Sequence, residues 1–176
     1  MNERLGSIVD LEKYPIHDLD SPVIKDLISR CKEELNNNSC AVIKNFILPK
    51  SLMTMNKELE CQLDEVYMSK EKINAYLYAK DDPTLSKDHP KRNFMDRYNG
   101  YLNSDCFQKN SEMKYLYETE ELLNFVSACL GVSPIYRWAD PLACHAYNVM
   151  KPSGTLPWHF DSCEFTLSLM IQKPEN

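Results

Sequence analysis

Pro157-Trp158-His159-Phe160-Asp161, followed by Glu164-Phe165-Thr166-Leu167-Ser168-Leu169-Met170-Ile171-Gln172, is the stretch on which the reading of this chain turns. Phe165, Leu167, Leu169 and Ile171 alternate with Thr166, Ser168 and Gln172, the pattern of a half-buried strand. Gly154 and Pro157 set a turn ahead of it. Side chains two apart on an extended chain share a face, so His159 and Asp161 are expected to present an imidazole and a carboxylate side by side, as ligands of one metal. One more His on a facing strand completes a two-histidine, one-carboxylate triad, which leaves positions on Fe(II) open for a bidentate co-substrate and for dioxygen. An open zinc site would also need a third protein ligand. The tripeptide alone is a weak signal, and its bland reading is a surface His beside a solvated Asp; the turn and the alternating strand around it set this one apart.

Upstream, Ala143, His145, Tyr147 and Val149 alternate as well, and strands are expected at about 134–138, 143–150 and 164–172. Ligands lying between such strands suit a small β-barrel or jelly roll. His145 is the only nearby substitute for a third ligand, although a His on a strand is ordinarily a core or rim residue.

The rest of the chain reads as helical. Residues 1–20 are expected to be extended, because the residue before Pro15 is pushed away from helix. Ser21-Pro22 is a helix start, an N-cap followed by Pro at the first position. Val23, Ile24, Leu27, Ile28, Cys31 and Leu35 then form one apolar stripe, ended by the Asn36-Asn37-Asn38 run. Cys40 to Phe46 reads as a short strand. Pro49 opens a second helix with Leu52, Met55, Leu59, Leu63 and Val66 on its buried face. The polar stretch from Ser69 to about Asn110 reads as a long irregular segment. A further helical region carries Leu116, Leu122, Leu123, Val126 and Cys129 on its apolar side, with Gly131 as its cap. The organisation expected is one domain over 1–176: a mainly helical part at 1–133 with a long loop at about 69–110, then the first strands of a β core at 134–176. The fold class is α+β.

Of the 176 residues, 43% are apolar, enough for a packed core. The net charge of −6 argues against a nucleic-acid partner, whose footprint would be basic and clustered. No stretch reaches the length of a membrane span, so no membrane partner is expected. Met1 to Asp10 is too charged for a secretory signal. Seven Cys, an odd number with no Cys-x-x-Cys, read as thiols of a reducing compartment, and a cytoplasmic location is expected. Only four Gly are present, few for a complete jelly roll with its glycine-rich turns.

The run from Asp140-Pro141-Leu142 through Tyr147-Asn148-Val149 to Leu156-Pro157-Trp158-His159-Phe160-Asp161 and Phe165-Thr166-Leu167 resembles iron(II)/2-oxoglutarate-dependent dioxygenases. It is most similar to the branch of free-amino-acid halogenases and their hydroxylase relatives. His89-Pro90-Lys91-Arg92 with Asn99-Gly100, and the opening Tyr14-Pro15-Ile16, resemble other segments of that branch. The resemblance implies N-terminal helices packed on a double-stranded β-helix, with Fe(II), 2-oxoglutarate and dioxygen, and a small-molecule substrate such as a free amino acid. Halogenating members carry a small residue where this chain has Asp161, so hydroxylation is implied. The family's distal His and its 2-oxoglutarate-binding basic residue lie well downstream of the proximal motif, and no residue here matches either. A truncated member with an incomplete β-helix is therefore expected. Arg92 and Arg97 are candidate cofactor-binding residues, able to reach an anionic group, although a loop Arg is more often just solvated. Two rivals stand beside this reading: a non-catalytic, partner-dependent domain, and a cupin-like metalloenzyme using the same ligands.

Overall fold

Two prolines set where the long helices begin. Pro22 and Pro49 are the first residues of α2 (Pro22–Asn38) and α3 (Pro49–Glu60), where a missing N–H removes no intrahelical bond. The structure, a computed structural model, describes residues 3–173; expectations touching 1–2 and 174–176 lie outside those residues. The other helices are α1 (Glu3–Ile8), α4 (Glu112–Glu118) and α5 (Glu120–Leu130), and the strands are β1 (Tyr67–Ile73), β2 (Met95–Leu102) and β3 (Tyr147–Val149). The architecture is α+β, five helices with a small antiparallel sheet among the described residues.

Gly131 caps α5 as expected, at φ 69°, its N–H returning to the Ser127 carbonyl at 2.9 Å. Ser39 does the same for α2 at φ 56°, so Asn36–Asn38 form the helix's last turn instead of ending it. The hydroxyl of Ser21, at the N-cap of α2, makes no capping bond. The N-terminal segment departs from its extended reading, since residues 3–8 are helical. Leu5 and Ile8, three apart on one face of α1, are fully buried, and that burial outweighs the nearby Pro.

One core joins α1, α2, α3, α4 and α5 through Leu5, Ile8, Ile24, Leu27, Met55, Leu116, Leu122 and Phe125. Val23, counted in the α2 stripe, is exposed instead, and α3 ends before Leu63, which is also exposed. Segment 40–46 is not a strand; only Ile47 forms a bridge, to Val9. A second cluster, Leu102, Phe107 and Tyr147, lies under the sheet, and the Tyr147 hydroxyl donates to the Met55 carbonyl at 3.0 Å.

The sheet corrects the reading of 69–110 as an irregular loop. β1 and β2 pair antiparallel from Tyr67 opposite Tyr101 to Ile73 opposite Met95, leaving residues 74–94 and 103–110 outside the strands. Polar side chains fill the exposed face of this hairpin, and they hid its alternation. Gly100 is required there, because a Cβ would lie 2.6 Å from both Met68 and Val66 side-chain atoms. β3 adds to β2, with Leu102 opposite Tyr147. Of the strands expected at 134–138, 143–150 and 164–172, only the middle one forms, and only over Tyr147–Val149.

Candidate metal centre

The β2–β3 register brings the motif into place. Continued by two residues, it would set Lys151 opposite Tyr98; Thr155 takes that position, and residues 151–154 loop out. Tyr98 and Thr155 exchange both backbone bonds at 2.8 Å. Gly154 makes this turn possible, since a Cβ would lie 2.8 Å from the Lys151 carbonyl oxygen. The motif is then held at a second point, where the Phe160 N–H donates to the Ala75 carbonyl at 2.8 Å and the rings of Phe160 and Tyr76 lie 5.2 Å apart.

Ala75 belongs to a turn built by Asn74. The buried Asn74 amide donates to the Lys91 carbonyl at 2.6 Å, and its Oδ1 accepts from the N–H groups of Tyr76 at 2.9 Å and Tyr78 at 3.1 Å. Sequence reasoning missed Asn74 and Tyr76. An Asn ahead of a polar loop is a turn signal, but nothing local says which distant segment the turn will support.

His159 and Asp161 come together without a strand. Nδ1 of His159 donates to the Pro157 carbonyl at 2.8 Å, which leaves Nε2 of the neutral ring as an acceptor. Nε2 lies 3.3 Å from Oδ1 of Asp161, while Oδ2 of Asp161 accepts from the Thr166 hydroxyl at 2.6 Å. Two acceptors at that distance repel unless a cation bridges them: a metal ion, or a proton on the ring. A backbone carbonyl holding the far nitrogen is the usual support of a metal-binding imidazole. The side chains are 23% and 46% exposed, so the pair opens to solvent. Two ligands therefore fit a metal, but among the described residues no third His, Cys, Asp or Glu joins them.

His145 is not that third ligand. It is 7% exposed, packed against Phe107 and Tyr117, with Nδ1 lying 3.2 Å from the Cys144 sulfur. Its Nε2 is buried without a partner. Burial pushes its pKa below 6.5, helped by Lys114 and opposed by Glu118. It is a core histidine, held by Ser104, whose hydroxyl donates to the His145 carbonyl at 2.6 Å.

The two arginines are engaged elsewhere. Arg92 grips Asp81 with two bonds, Nε at 2.8 Å and Nη2 at 2.7 Å, and donates a third to the Leu85 carbonyl at 2.9 Å. That fork holds the Asp81 carboxyl below its ordinary pKa. Arg97 donates to Asn99 at 2.8 Å, to Glu71 at 3.4 Å and to the Tyr101 hydroxyl. Both tie down the hairpin and its loop, and neither contacts His159 or Asp161.

No protein-family model matches the chain, and comparison with curated proteins and with solved structures finds no match. Among the described residues no helix is long and apolar enough to cross a membrane.

Proposed function

We propose that His159 and Asp161 are two ligands of a non-haem Fe(II) in an iron(II)/2-oxoglutarate-dependent oxygenase of the hydroxylase type, acting with dioxygen on a small molecule of the free-amino-acid class. The observation that carries this reading is the facing pair of acceptors, Nε2 of His159 and Oδ1 of Asp161 at 3.3 Å, with the other ring nitrogen tied to Pro157. The resemblance of 140–172 to that family supplies the metal and the co-substrate. The antiparallel sheet and the alternation at 164–172 support a double-stranded β-helix. Bound iron would supply the activation of dioxygen against 2-oxoglutarate. The chain's own part is to fix the imidazole tautomer through Pro157 and to orient the carboxylate through Thr166. Asp161 favours hydroxylation, because its carboxylate takes the position that a halide would need.

A second reading is favoured by the missing third ligand and by the exposed apolar residues at 134–172: a non-catalytic, partner-dependent domain.

Anaerobic titration with Fe(II) and 2-oxoglutarate separates the two. Two protein ligands hold iron weakly, so a weak 2-oxoglutarate-dependent visible band is expected, and His159→Ala and Asp161→Ala should each abolish it without changing the circular dichroism. No band in the parent protein, or an equal band in both variants, overturns the iron reading. In any preparation that turns over, mass spectrometry should find a hydroxylated product with or without chloride; a chlorinated product overturns the assignment of reaction type.

A further inference from the structure

The segment after the motif has the alternation of a strand in its sequence and no backbone partner. Residues 161–173 form no backbone–backbone hydrogen bond among the described residues, and Phe165, Leu167 and Met170 are exposed. Leu169 and Ile171 anchor the segment on the main core. What remains free is a row of N–H and C=O groups whose side chains alternate as in a strand and carry no charge from Phe165 to Gln172, the kind of edge that pairs with another strand.

We propose that residues 164–172 pair with the same segment of a second copy of this chain, antiparallel, about a two-fold axis at Ser168. The sequence is self-complementary in that arrangement. Centring on Ser168 sets Phe165 opposite Ile171 and Leu167 opposite Leu169, apolar against apolar on one face, and Thr166 opposite Met170 on the other. A register slip of one residue would set Phe165 opposite Gln172 and Thr166 opposite Ile171, mixing the two faces, and moving the centre to Leu169 would set Phe165 opposite Lys173. Charge selects the direction. Glu164 stands at one end of the neutral stretch and Lys173 at the other. Antiparallel pairing sets Glu164 opposite Gln172 and Lys173 opposite Cys163, so no like charges meet, whereas parallel, in-register pairing sets Glu164 against Glu164 and Lys173 against Lys173. The resulting contact is isologous and closes as a dimer. A single strand seam is small for an interface, so the dimer is concentration-dependent.

The test uses sedimentation velocity of the whole chain over a range of concentrations. The apparent mass should rise from monomer toward dimer. In a strand, successive N–H groups point to opposite edges, so one of Leu167→Pro and Ser168→Pro must remove a bond across the seam. Neither N–H bonds to the backbone among the described residues, so both variants should keep the parent's circular dichroism while at least one loses the dimer. A monomer at every concentration, fibrils in place of a closed dimer, or a dimer indifferent to both proline variants would each overturn the proposal.

Discussion

The helices and the stretch from 134 to 173 are both rich in large apolar residues, yet they use them in opposite ways. In the helical part Leu5, Ile8, Ile24 and Met55 are fully buried. In the later stretch Trp158 is 90% exposed and Leu167 63%. The difference lies in what each pattern needs. A helix satisfies its backbone within itself and requires only another apolar stripe to pack on. A strand satisfies neither its backbone nor its face until a neighbouring strand is present.

The largest effect should come from setting one deletion in each region side by side. Met55→Ala removes a fully buried side chain of α3 from the helical core, and should cost about 2–5 kcal/mol. Leu167→Ala should change stability by no more than about 0.5 kcal/mol. Chemical denaturation of both at low protein concentration is the check, and equal losses would erase the contrast between the regions.

A smaller effect tests the joint through which the hairpin loop holds the motif. Asn74→Ala strands the N–H groups of Tyr76 and Tyr78 and the carbonyl of Lys91. It should cost about 1–3 kcal/mol. It should also weaken Fe(II) binding at His159 and Asp161, because the carbonyl of Ala75 holds Phe160 between them. Unchanged hydrogen exchange at Phe160 would show that the motif stands without the loop.

Gly131→Ala confines its effect to the helical part. The left-handed backbone at φ 69° should make it cost about 1–2 kcal/mol, read as a shift in thermal midpoint.

The smallest effect is a pH slope at His145, which belongs to the later stretch and packs on Tyr117 of α4. Its folded pKa is lowered by burial, so as pH falls through 6.5 the unfolded chain takes up a proton that the buried ring refuses. Stability should fall over that window and level off once the folded ring also protonates. Denaturation at a series of pH values should show the slope in the parent and lose it in His145→Gln.

How much was legible follows the same division. Ser21-Pro22, Pro49 and Gly131 announced helix ends by local chemistry, and the stripes named Ile24, Leu27, Met55, Leu116, Leu122 and Cys129 as buried, as they are. Phe125 went unnamed, though it is buried on the same helix. The β1–β2 hairpin was missed because its side chains are largely polar and its partners lie across a loop. His159 and Asp161 were picked out by spacing, and they do meet, but through a turn and three distant backbone bonds, two with Tyr98 and one with Ala75, where a strand was expected.

By itself the sequence determined what depends on neighbours along the chain: the helix starts at Pro22 and Pro49, the cap at Gly131, much of the apolar stripes and the proximity of an imidazole to a carboxylate two residues away. Only the tertiary structure decided which strands find partners, that His145 is a buried ring packed against Phe107 and Tyr117, and that Arg92 and Arg97 are spent on Asp81, Glu71 and Asn99. The physical reason is that helix bonds and caps close within a few residues, whereas strand pairing, burial of a ring and the choice of an ion-pair partner depend on groups the chain brings together only on folding.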